Sequence, residues 1–163
     1  MNSLCHSRKA NREIALESKG LPDRSGAGRV PDEAGAIVRP IRTVVVNGSP
    51  TILKTLSLFL EVQHDFQLVG TATDGSQAVR RAVELQPDLV LMGLRLPRMN
   101  GLEATRHIKA RSQAPAVIML TANDTPACRA AASAAGTDGF VGKRHLFTHL
   151  PAAIRKLFPS AKL

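Results

Sequence analysis

The 163-residue chain contains no tryptophan and no tyrosine, and its only aromatic residues are five phenylalanines. A channel that stacks successive bases needs aromatic faces, so nucleic acid is not expected as the main partner. Cysteine is nearly as scarce: Cys5 lies in the N-terminal segment and Cys128 in an expected helix. A disulfide framework is therefore not expected, and a reducing, cytoplasmic compartment fits best. No apolar run approaches the roughly 20 residues that cross a bilayer. The opening MNSLCHSRKANREIALESKG has no continuous apolar stretch of the kind that directs secretion, so no membrane role is expected. Acidic residues are few, 13 against 22 Lys and Arg, which leaves a net charge of +9. Residues 1–40 carry 7 basic and 5 acidic side chains, and the remainder carries 15 and 8. The excess thus sits in the later part of the chain. It suits an acidic partner or a nucleic acid, yet no basic run is dense, and a solvated basic surface is the preferred account.

What is present is enough for one domain. Hydrophobic residues make up 44% and charged residues 21%, with a mean hydropathy of -0.04. Residues 1–40 mix Gly, Pro, Ser and both charges without a period. They read as a disordered tail, either a flexible leader or the product of a start codon set too far upstream. From Ile41 the pattern becomes regular. RTVVVN, FQLVGTA, DLVLMGL, AVIMLTA and DGFVGK read as five strands, and each precedes a helix. Ser49-Pro50 and Thr125-Pro126 combine a capping hydroxyl with proline at the first helical position. Asp74 and Asn100 open the second and third helices, and Gly136 closes the fourth. The expected inward faces are Ile52, Leu53, Leu56, Phe59 and Leu60; Ala78, Val79, Ala82 and Val83; and Leu102, Thr105 and Ile108. A last helix over about Phe147 to Phe158 places Pro151 near its first turn. Crossovers of this length force parallel pairing. The expected fold is α/β, a flavodoxin-like (βα)5 three-layer sandwich over residues 41–158, followed by a short tail, 159–163. Ligands in such sheets sit beyond the carboxyl ends of the strands. That selects Asn47-Gly48, Gly93, Thr121 and Lys143.

The segment LVLMGLRLPRMNGLEATRHIKA resembles the central block of response regulator receiver domains, the two-component signalling modules that accept a phosphoryl group from a histidine kinase. VVVNGSP, VIMLTAND and GTDGFVGK resemble three further blocks in the same order and spacing. The resemblance covers about Ile41 to Phe158. In style it is closest to receivers fused to a helix-turn-helix domain of LuxR/NarL type. No such domain is read before Leu163, so a stand-alone receiver is expected.

The resemblance implies a phosphorylated aspartate after the third strand, and two acids after the first that complete a Mg²⁺ site. It also implies a Thr or Ser after the fourth strand and a Lys after the fifth, both contacting phosphoryl oxygens. Carried over position by position, Thr121 and Lys143 are kept, as is Phe140 at the aromatic switch position. Gly93 stands at the phosphoacceptor position, and Asn47 and Gly48 stand for the metal-binding acids. The expectation is therefore a degenerate pocket with no catalytic residue, no metal and no cofactor, its Mg²⁺ site lost, because Mg²⁺ wants several hard oxygen ligands. Asp88 begins the third strand at the far end of the sheet, and Asp74 and Asp124 lie in loops on the correct edge; Asp124 is the only one considered for a pocket role, against capping or solvation. Arg95 and Arg98 follow Gly93, so a mildly cationic pocket that a small anion visits stands beside a merely solvated one. The leading reading is an interaction module that binds protein partners, or itself, without phosphorylation. It would use the face of the fourth helix (Ala127 to Ala135), fifth strand and fifth helix. A histidine kinase or a transcription regulator is the partner considered. The alternatives are a phosphoryl-accepting receiver with a non-standard site, a basic-surface binder of nucleic acid or acidic partners, and a decayed gene product.

Overall fold

The computed structural model describes residues 30–31 and 37–162. Five strands form one parallel sheet: β1 Ile41–Val46, β2 Phe66–Ala72, β3 Leu89–Gly93, β4 Ala116–Thr121 and β5 Gly139–Gly142. Each is followed by a helix: α1 Pro50–Glu61, α2 Gly75–Leu85, α3 Gly101–Lys109, α4 Pro126–Ala135 and α5 Leu146–Leu157. The strand order is β2-β1-β3-β4-β5, the flavodoxin-like order in which the connections change direction between β1 and β3.

Strand chemistry explains the layering. Side chains alternate across a sheet. Val45, Leu89, Leu91, Ile118, Leu120 and Val141 face Leu56 and Leu60 of α1 and Leu146, Leu150 and Ile154 of α5. Val44, Val46, Val90, Met92, Val117 and Met119 face Ala78 and Ala82 of α2, Ala104 and Ile108 of α3 and Ala132 of α4. All five residues of β3 are buried, as expected for a central parallel strand covered on both faces. Between β1 and β2 the register slips: Thr43 pairs with Leu68 but Val44 pairs with Gly70. Val69 is thus an extra residue, a bulge on the edge strand.

Helix starts follow the local chemistry. Asp74, Asn100 and Thr125 accept from the backbone N–H of Gln77 (2.8 Å), Glu103 (2.9 Å) and Cys128 (3.2 Å). Gly136 ends α4 with φ 93°. Three expectations need correction. Ser49 occupies the first cap, but its hydroxyl makes no capping bond. Val83 is 47% exposed rather than inward, because it lies about 100° round the helix from Ala82 and about 140° from Ala78. Pro151 stands inside α5, beyond its first turn, where the missing N–H falls opposite the carbonyl of exposed Phe147. The chain after Phe158 folds back: Ala161 joins the core beside α5, and the Lys162 N–H donates to Asp65. Within the segment read as a tail, Val30–Pro31 and Ile37–Val38 form a short antiparallel ladder.

Candidate functional site

The carboxyl ends of the strands bring the selected residues into one row. Val46 pairs with Met92, Gly93 with Leu120, and Thr121 with Gly142. Asn47, Gly93, Thr121 and Lys143 therefore lie along the same edge of the sheet, from the β1–β3 crevice out to β5. Asn47 is buried at 2% exposure. Its Oδ1 accepts from the Ser49 N–H at 3.0 Å, while its Nδ2 has no partner. Gly48 is exposed, and a Cβ there would meet nothing closer than Pro97 at 3.4 Å. Gly93 is tighter: a Cβ would lie 3.1 Å from the Val46 carbonyl oxygen, 3.3 Å from Asn47 Nδ2 and 3.3 Å from Leu96 Cδ2. Gly101, at the start of α3, packs directly against this strand end. A Cβ on it would lie 2.1 Å from the Gly93 carbonyl oxygen.

Thr121 is buried and its hydroxyl is engaged locally, donating to the Asn123 carbonyl (3.2 Å) and accepting from the Asn123 N–H (3.1 Å). Lys143 begins a single 3-10 turn, Lys143–His145. Burial pushes its ammonium below the ordinary lysine value, and no carboxylate among the described residues pairs with it. Phe140 lies under the Arg129 guanidinium, 4.9 Å from the ring centroid.

The nearby acids are committed elsewhere. Asp88 binds Arg39 (2.7 and 3.1 Å) and the Arg42 N–H (2.9 Å) at the opposite end of the sheet. Asp124 binds Arg129 through two bonds of 2.5 Å, close beside Gly142. Those bonds, with smaller contributions from the Arg129, His149 and His145 charges, hold its carboxyl below the usual range. Asp74 caps α2 and also binds Arg98, a non-glycine residue held at φ 64°. The pairings of Asp74 and Asp124 with Arg98 and Arg129 join residues far apart or on different elements, and no sequence spacing signals them. The orphaned Asn47 amide carries no sequence signal either.

Asp74 gives a pH prediction. The Gln77 N–H, then Arg98 and the Ser76 N–H, lower its pKa from an ordinary 3.8. A carboxyl depressed on folding stabilises the fold above its unfolded pKa and loses that contribution as pH falls through the folded value. The melting advantage of the native chain over D74N is expected to be constant above about pH 5 and to vanish as the pH drops well below 3.8. An advantage that persists undiminished in acid would remove Asp74 as its source.

The fold and this edge define a class. The chain belongs to the response regulator receiver domain family, whose model matches residues 43–155. It is similar to the transcriptional regulatory protein LiaR of Bacillus subtilis, 42% identical over 81 residues, which cover 50% of this chain and 38% of LiaR. It is also similar to the response regulator protein VraR of Staphylococcus saprophyticus, 34% identical over 121 residues, covering 73% of this chain and 57% of VraR. The chain thus spans less than two thirds of the length of each. Among solved structures, the receiver domain of a NarL response regulator from Mycobacterium tuberculosis matches with a TM-score of 0.69 at 25% identity, covering 74% of this chain and 98% of that one. The response regulator domain of Thermotoga maritima CheB matches at 0.67 and 29%, covering 75% and 96%. Among the described residues no helix is long and apolar enough to cross a membrane.

Proposed function

We propose that this chain is a cytoplasmic receiver that acts in two-component signalling by binding protein partners, without taking a phosphoryl group at residue 93. One observation carries the reading: Gly93 ends β3 at the crevice where a receiver's nucleophile belongs, and glycine has no atom to phosphorylate. The metal fares no better. Asn47 offers one neutral oxygen, already bonded to Ser49, and Gly48 offers none from a side chain. Among the described residues no group of three His, Cys, Asp or Glu gathers anywhere. That donor set does not fit Mg²⁺. On this reading residues 41–158 are the working domain and 1–40 an appended tail.

The partner, a histidine kinase or a transcription regulator, would meet the face made by α4, β5 and α5. Phe140 lies there under Arg129, and His145 and His149 hold their rings tilted against each other, centroids 5.1 Å apart. A partner that prefers one arrangement of that face shifts its population without any covalent step.

Incubation with acetyl phosphate and Mg²⁺, followed by intact mass, tests the reading. No mass gain is expected. Addition of one phosphoryl group would overturn it and point to a non-standard acceptor.

A further inference from the structure

His145 and His149 stand four residues apart where β5 passes into α5. His145 closes the 3-10 turn that begins at Lys143 and takes the cap position of α5, and His149 lies one turn into the helix. A spacing of four puts two side chains on one helical face. Here it brings the rings together, with centroids 5.1 Å apart and planes tilted by 32°. Both residues are exposed, so core packing does not account for the pairing. Neither imidazole makes a hydrogen bond among the described residues, which leaves the ring nitrogens open to a ligand. A tetrahedral ion that binds one nitrogen of each ring at about 2.0–2.1 Å holds the two ring centres roughly 5 Å apart. The observed separation meets that requirement before any ion is present.

We propose that His145 and His149 together chelate one borderline transition-metal ion of the Zn²⁺ kind, with water in its remaining positions. The surroundings choose among cations. Lys143, Arg144 and the N-terminus of α5 all oppose positive charge here. The Asp124 carboxylate lies within electrostatic reach of both imidazoles, but Arg129 already holds its two oxygens. An ion attracted by field alone gains nothing at such a place, and Mg²⁺ and Ca²⁺ want oxygen ligands in any case. Zn²⁺ and its neighbours bond directly to imidazole nitrogen, and that bonding has to outweigh the local charge. Two protein ligands are fewer than the three or four of catalytic and structural zinc sites, so the ion exchanges readily and acts as a reversible ligand. Bound there, it ties the 3-10 turn that carries Lys143 to the first turn of α5. An unfolded chain does not hold the two rings at this distance, so the ion favours the folded state.

The test is a titration of the full chain with zinc chloride in a reducing, non-coordinating buffer, with the rings of the five histidines followed separately by NMR. Separate signals are needed because Cys5 and His6 are adjacent in sequence and offer zinc another pair of ligands. The His145 and His149 signals are expected to shift together, with one midpoint and saturation at one ion per pair, and the melting temperature to rise. H149Q is expected to abolish the zinc response of His145, and H145Q that of His149. Both side chains are exposed, so the metal-free melting curves of the two variants should barely move. Magnesium chloride at the same concentrations should shift neither ring. Different midpoints for the two rings would overturn the proposal, as would a His145 response that survives in H149Q. So would a response no stronger than that of His64 or His107. An equal response to Mg²⁺ would overturn the choice of ion. The acetyl phosphate experiment is separate: zinc binding neither requires nor forbids a phosphoryl group, so either reading can fail while the other stands.

Discussion

Replacing Gly101 with alanine is expected to be among the most damaging single changes in the domain, costing about 3 kcal/mol. A Cβ at this position would lie 2.1 Å from the Gly93 carbonyl oxygen, 3.0 Å from its carbon and 3.1 Å from Leu94 Cα. All three are backbone atoms at the end of the central strand, so no rotamer change relieves the contact. The helix must retreat from the sheet, and the bond from the Gly101 N–H to the Leu94 carbonyl (3.0 Å) goes with it. Overpacking usually costs about 1–3 kcal/mol, and an obstacle made of backbone belongs at the upper end. Against a total of about 5–15 kcal/mol, that is a large fraction. Urea melts of G101A and G48A make the comparison direct. A Cβ at Gly48 meets only ordinary van der Waals contacts, so G48A is expected to be nearly neutral. A loss below about 1 kcal/mol in G101A would mean that α3 is less firmly seated on β3 than its contacts imply.

Restoring the acids is expected to have the second large effect. The triple variant N47D/G48D/G93D should gain Mg²⁺-dependent stabilisation, about 2.7 kcal/mol when Mg²⁺ is at 100 times its Kd. It should also take one phosphoryl group from acetyl phosphate. A first side-chain carbon at Gly48 meets only ordinary contacts, and one at Gly93 needs Asn47 and Leu96 to give by a few tenths of an ångström against the Val46 carbonyl. Without Mg²⁺ the triple variant should be less stable than G93D alone, because three carboxylates crowded together repel one another. Lys143 should respond in the same series: a carboxylate at residue 93 supplies the counter-charge it lacks, so its pKa should rise. The measurements are thermal melting with and without Mg²⁺, and intact mass. A triple variant that melts identically with and without Mg²⁺ would show that more than three side chains separate this edge from a metal site.

Much of the fold was legible in the sequence because its signals are local. Period-two and apolar runs marked all five strands, and Asp74, Asn100 and Thr125 announced the helix starts that their side chains in fact cap. The errors fell where a competing contact decided the outcome. Val83 was read as inward, but it lies about 100° round the helix from Ala82 and about 140° from Ala78, outside the narrow face that the two alanines press against the sheet. Pro151 was placed from propensity, but α5 begins at Leu146, after a 3-10 turn that no residue pattern announces. The row of pocket positions was legible because the strand ends define it. How those positions are occupied was not. The two aspartates near them were visible as residues, but their capture by Arg98 and Arg129 depends on a left-handed backbone at Arg98 and on the approach of α4 to β5. The large exposed apolar side chains were equally hidden. Leu58 and Val62 on the α1 side and Phe147 on α5 are 53%, 70% and 48% exposed, so apolar surface is not confined to the α4–β5–α5 face chosen for partners.

The extra residue at Val69 bears on how the protein behaves when concentrated. β2 is seven residues long and lies at the border of the sheet, so one side of its backbone has no neighbouring strand among the described residues. A straight border strand of this length invites a second molecule to add its own strand, and from there a growing aggregate. The bulge breaks the regular spacing of donors and acceptors partway along β2 and twists it locally, so an incoming strand finds only two short stretches in register. A deletion of Val69 that restores a straight strand should therefore leave a protein that precipitates more readily than the parent.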